Sequence, residues 1–148
     1  MTRSESGFSL IELLIAMSIL SVGLLATVTM QATALQRDGF AQRTTEAAAL
    51  ARGAMDDLMS RPGGNVFFQT AVAAPGIAFD LDPNTAALTQ TIQGATYSAT
   101  VVVTPNAAVL VGNVPPAVSI PNLTQVILTV TGGGRTATVT EFKRAVGA

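Results

Sequence analysis

The sequence predicts an α+β chain in which one long N-terminal helix, apolar over its first half and amphipathic over its second, packs on a small antiparallel sheet of about three or more strands. Three observations carry this reading. From Phe8 to Gln36 the only charged residue is Glu12. Ala47, Leu50, Ala51, Ala54, Met55 and Leu58 then recur at helical spacing, while Arg43, Glu46, Arg52, Asp56 and Asp57 take other faces. From Pro62 onward the composition shifts to Ala, Thr, Val, Asn, Pro and Gly, and Asp80 and Asp82 are the only charges up to Gly134.

The first helix is expected from Ser9 to about Ser60, roughly 75 to 80 Å at about 1.5 Å per residue. Leu13 to Met30 is almost wholly apolar or small, and about 20 such residues cover the hydrocarbon core of a bilayer. A cleavable secretory core is shorter and ends at a small-residue site, so this segment is expected to be retained as a membrane span. Seven polar residues precede it, and Arg3 with the amino terminus puts positive charge on the side that stays cytoplasmic. Gly23 and Gly39 offer flexible points in the helix, and for Gly23 the close helix packing that a small residue permits is the favoured reading. Arg61, Pro62, Gly63 and Gly64 end the helix, because proline disfavours helix in the residue before it and glycine permits the turn.

Three strands are legible in the head. Tyr97 to Thr104 runs into Val101, Val102 and Val103, a strand buried at least in part on both faces. Gln125 to Thr131 and Thr136 to Phe142 alternate on either side of Gly132, Gly133 and Gly134, which predicts a hairpin with Val126, Leu128 and Val130 on one face. Laid over the second half of the helix, these strands bury both apolar faces. The proline-rich segments 65–95 and 105–123 are loop-like, with room for short additional strands.

Composition removes most chemistries. A chain of 148 residues leaves room for one modest head beyond the span. With a charged fraction of 11% and a net charge of -1 it has no basic field to attract nucleic acid. No cysteine and no histidine is present, which excludes a disulfide framework, a thiol nucleophile, an imidazole base and the usual zinc ligand sets. No cofactor and no catalytic residue is predicted. Asp80, Asp82 and Asn84 have the alternate spacing that opens a calcium loop, but the sixth position is Thr85 rather than Gly and the twelfth is Thr91 rather than Glu, so a solvated turn is expected. Asp56, Asp57, Asp80, Asp82 and Glu141 could in principle supply the paired carboxylates of a glycosidase, yet nothing in the pattern puts two of them in a cleft.

Glu12 is the anomaly. A carboxylate inside an apolar helix costs roughly 2.5 to 3.5 kcal/mol at the bilayer centre and less near the interface, so it needs a partner or a task. The string GFSLIELLIA at 7–16 resembles the class III signal of type IV pilins and pseudopilins: a short polar leader, Gly7, Phe8, and a glutamate four residues after Phe8. The resemblance implies a pilin-like fold divided into a leader (1–7), a transmembrane and filament-core helix (8–30), its amphipathic continuation (31–61) and an extracytoplasmic β-rich head (62–148). It implies cleavage by a prepilin peptidase between Gly7 and Phe8, N-methylation of Phe8, and compensation of that amino terminus in one subunit by Glu12 of its neighbour. The electrostatics agree, since a cation left beside hydrocarbon is tolerable only when a carboxylate pairs with it.

Within this family the run from Gly23 to Arg61, with Gly23-Leu24-Leu25, Gln31 to Gln36, Ala51, Met55, Asp57, Leu58 and Arg61-Pro62, resembles minor pilins of the PilV type and the minor pseudopilins of type II secretion. The lack of a carboxy-terminal cysteine pair departs from many major pilins. The implied partners are other pilin or pseudopilin subunits, the prepilin peptidase, an inner-membrane assembly platform and the membrane itself, with the head on the periplasmic side before assembly. A different class, an uncleaved membrane-anchored binding protein, keeps the same span without the processing.

Overall fold

The computed structural model describes residues 9–82, 88–111 and 114–144. The chain divides into two compact units, Met1–Ala41 and Gln42–Ala148, and one unbroken helix, α1 (Leu10–Ser60), runs through both. The expected single helix is therefore present, with its start within one residue of the predicted position and its end at the predicted one.

In the second unit a short helix, α2 (Val66–Gln69), follows α1. Then come β1 (Val72–Phe79), β2 (Thr89–Ile92), β3 (Ala95–Thr104), β4 (Ala108–Val111), β5 (Val114–Ser119), β6 (Leu123–Gly132) and β7 (Arg135–Arg144). A five-stranded antiparallel sheet has the order β1-β3-β6-β7, and β2 also pairs with β3. Phe79 of β1 lies opposite Ala99 and Thr89 of β2 opposite Ser98. The two strands thus lie end to end along one edge of β3, as a single edge strand interrupted by the segment between them.

The three legible strands extend each expected range by up to two residues at either end. The segments expected to be loop-like hold α2, β1 and β2 in one case and the separate β4-β5 hairpin in the other. Their sequences hid them. β1 carries Pro75 and β5 carries Pro115 and Pro116, and proline cannot donate to a ladder, so it marks edges and irregular pairing. Both the β1-β3 and the β4-β5 pairings show a register shift.

The core lies between α1 and one face of the sheet. Ala47, Ala51, Met55 and Leu58 are buried on the helix, against Tyr97, Ala99, Val101 and Val103 of β3 and Val126, Leu128 and Val130 of β6, with Phe68 of α2 closing one end. The helical seam predicted from spacing is the buried one, and Leu50 and Ala54 flank it half-buried. Each fully buried Val, Leu, Met or Phe side chain contributes about 1.5 to 3 kcal/mol. In a head without disulfides this packing is the principal source of stability. The opposite sheet face is a ladder of hydroxyls, in which Thr129 contacts Thr138 at 3.3 Å and Thr131 contacts Thr136 at 3.4 Å. Threonine suits a pleated, solvated surface without adding charge.

α1 ends as the Arg61 to Gly64 segment predicts, with an addition. Lys143 of β7 donates through Nζ to the carbonyls of Met59 and Arg61. The same ammonium stands 4.9 Å from the centre of the Phe68 ring. A helix C-terminus leaves carbonyls without partners and carries partial negative charge, so a cation satisfies both.

Candidate functional site

Within the first unit α1 has the length and composition of a membrane-crossing helix. All its described residues are exposed, and the helix is long and apolar enough to cross a bilayer, with a mean hydropathy of 2.2 over its most apolar window. Polar hydroxyls inside hydrocarbon must be satisfied within the helix. Ser18 donates to the Leu14 carbonyl at 2.8 Å, Ser21 to Met17 at 2.7 Å, Thr27 to Gly23 at 2.6 Å, Thr29 to Ala26 at 2.8 Å and Thr33 to Thr29 at 2.9 Å. These back-bonds let five hydroxyls enter lipid or a subunit interface at little desolvation cost.

Glu12 sits in the first turn of this helix. Ser9 caps the start, its hydroxyl accepting from the Glu12 amide at 3.3 Å, so the turn that carries the carboxylate is held by the second residue after the predicted cleavage point. A carboxylate here is favoured by the helix dipole. It is exposed, and no charge follows it until Arg37. Gly7 and Phe8, the predicted processing residues, lie outside the described residues.

Of the calcium-loop residues, Asp80 accepts the backbone amide of Asp82 through Oδ1 at 2.9 Å, which is the local turn expected of this spacing, and Asn84 lies outside the described residues. Among the described residues no group of three metal-ligating side chains is brought together. Asp57 pairs with Arg61 at 2.9 Å on the surface, and Asp56 and Glu141 are exposed. Gly132 to Arg135 forms the β6-β7 turn, with Gly133 at φ 57° and Gly134 at φ 74°, the pair of left-handed positions a two-residue hairpin requires.

A polar collar in the second unit went unnoticed in the sequence. Tyr97, fully buried, donates its hydroxyl to Glu46 Oε2 at 2.7 Å. Gln42 donates to Glu46 Oε1 at 3.1 Å and to the side chain of Gln93, and Arg43 reaches the Gly133 carbonyl at 3.4 Å. The sequence signal was slight: Glu46 lies four residues before Leu50, at the edge of the apolar seam rather than on it.

The Glu46 carboxylate accepts the hydrogen bond of the Tyr97 hydroxyl and so raises the tyrosine above its ordinary value of 10.0, with burial and the charge of Glu46 acting the same way and Arg43 against them. A raised native value means that the folded head favours protonated Tyr97. This contribution is complete below the unfolded value near 10 and is lost as pH rises through the native one. Tyr97 is the sole tyrosine and no tryptophan is present, so tyrosinate absorbance reads it directly. The native midpoint is expected above that of the denatured chain, and Glu46→Gln should bring it down. Coincident midpoints would show that the bond is not made in solution.

Comparison with curated proteins and with solved structures finds no match to this chain. A profile of the prokaryotic N-terminal methylation motif matches residues 2–28, the span that contains Gly7, Phe8 and Glu12 and most of the apolar part of α1: the chain carries this motif at the head of a long helix followed by an antiparallel sheet.

Proposed function

We propose that the chain is a minor pilin: a precursor inserted by the first half of α1, cut between Gly7 and Phe8 by a prepilin peptidase, and assembled into a type IV pilus with the β-rich head outward. The observation that carries this reading is the methylation motif over residues 2–28, with Glu12 as the single charge of the apolar stretch. The layout of one long helix followed by an antiparallel sheet supports it. Phe8 becomes the methylated amino terminus, and the Glu12 carboxylate of one subunit compensates that cation in the next, where low dielectric makes either charge alone costly. The internally bonded hydroxyls of α1 suit the dry interior of a filament as they suit the bilayer. The head catalyses nothing and supplies contacts that set the subunit's place in assembly, initiation or adhesion.

Co-expression with a prepilin peptidase tests the reading. Mass spectrometry and N-terminal sequencing should find a chain that begins at N-methylated Phe8. A product that stays full length would favour an uncleaved, membrane-anchored binding protein. A type II secretion pseudopilin shares the motif and the helix, so recovery in sheared pili rather than with a secretion assembly separates the two filament readings.

A further inference from the structure

The head holds its own part of α1, from Gln42 to Ser60, unequally along its length. At the C-terminal end the side chains are large and the anchoring is charged: Met55 and Leu58 are fully buried, and Lys143 bonds two of the terminal carbonyls. Phe68 is fully buried beside it, and its carbonyl accepts the buried Thr124 hydroxyl at 2.9 Å. At the other end the buried helix residues are Ala47 and Ala51, which remove little apolar area from water. The hold there depends on the polar collar.

Two hairpin tips make that collar. Gln93 lies in the β2-β3 turn and Gly133 in the β6-β7 turn, and the pairing of Tyr97 with Gly132 sets the two turns at the same end of the sheet. Gln42 and Arg43 meet these tips through solvent-exposed hydrogen bonds, and Glu46 meets Tyr97 between them. The large buried side chain here, Tyr97, belongs to the sheet; a helix segment that itself buries only alanines and holds the tips through water-accessible polar contacts opens locally at low cost.

We propose that the collar of Gln42, Arg43, Glu46, Tyr97, Gln93 and Gly133 is a latch: α1 lifts from the sheet over Gln42 to about Leu50 while Met55 to Arg61 stays seated and the sheet stays folded. The Glu46-Tyr97 hydrogen bond is its bolt, the one contact of the collar that is sheltered from water on the tyrosine side. Opening releases about two turns of α1 within the second unit from the sheet. The latch stands on the geometry of the second unit alone and does not depend on the filament reading.

The absence of native cysteine makes the test direct. Single variants Ala47→Cys and Met55→Cys are prepared in the full chain in detergent micelles, and thiol labelling is timed without denaturant. The latch predicts that the Ala47→Cys variant labels at least about tenfold faster than the Met55→Cys variant. Adding Tyr97→Phe should raise the first rate about tenfold again and leave the second unchanged. If Ala47→Cys disturbs the seat, Ala48→Cys, half-buried on the same turn, is read only by its acceleration on adding Tyr97→Phe, which the latch predicts and Met55→Cys should not show. Equal labelling at the two ends, or an equal acceleration of both by Tyr97→Phe, would mean that the helix leaves the sheet only in global unfolding and would overturn the proposal.

Discussion

Glu12→Ala is expected to leave membrane insertion and leader cleavage intact and to remove the chain from filaments. Insertion becomes easier, because a carboxylate in the apolar helix costs up to roughly 2.5 to 3.5 kcal/mol and alanine costs none of that. Assembly behaves in the opposite way. If the neighbour's amino terminus relies on this carboxylate, its loss leaves a cation unpaired in low dielectric, a penalty of about 3 to 5 kcal/mol for breaking one side of a buried pair. At about 1.4 kcal/mol per tenfold change, incorporation should fall by a hundredfold or more. Immunoblots of the membrane fraction and of sheared filaments measure the two quantities separately. Wild-type incorporation of the alanine variant would remove the pairing role and leave Glu12 as a helix N-terminal carboxylate alone.

The second large effect is expected in the head, at Gly132. A Cβ placed there would lie 2.4 Å from the Thr96 carbonyl oxygen and 2.7 Å from Tyr97 Cα. Both are backbone atoms of the central strand β3, so no side-chain rotation relieves the clash. Gly132→Ala should therefore destabilise the head by about 1 to 3 kcal/mol, or more if the β3-β6 pairing has to part. In a domain of this size each kcal/mol lowers the melting temperature by roughly 4 to 8 °C. Gly53→Ala is the matched control, because a Cβ on that exposed helical glycine meets nothing within 4 Å. It should be neutral or stabilising by up to about 1 kcal/mol. Thermal melts followed by circular dichroism compare the two. Equal melting temperatures for Gly132→Ala and the unaltered chain would show that the tight approach seen here is not made in solution.

Much of the fold was legible because its main elements obey simple periods. The helix from Leu10 to Ser60 carries its own evidence, first as an uninterrupted apolar run and then as the seam of Ala47, Ala51, Met55 and Leu58. β6 and β7 alternate at period two around the glycine turn and pair as that alternation predicts, while β3, legible as a strand but not in its pairing, lies beside β6. β1, β2, β4 and β5 were not legible as strands. They lie at sheet edges or in an isolated hairpin, where burial is slight and prolines interrupt the pattern, and a strand with little buried surface leaves little hydrophobic signal. The collar was missed for a related reason. Glu46 and Tyr97 are 51 residues apart in sequence, and each taken singly is an unremarkable residue of its element.

By itself, the sequence determined that a methylation motif heads a long apolar helix. An apolar helix long enough to cross a bilayer, a methylation motif and a lone carboxylate are properties of consecutive residues, governed by helix length, side-chain transfer energies and charge, and they need no partner from elsewhere in the chain to be recognised. Only the tertiary structure decided how the head holds the helix. The lysine that caps α1 comes from the last strand, the tyrosine that receives Glu46 comes from the middle of the sheet, and the glycine that must stay bare faces β3 across a strand pairing. Such contacts depend on which strands become neighbours and in what register, and that is set by the packing of the whole core rather than by any local run of residues.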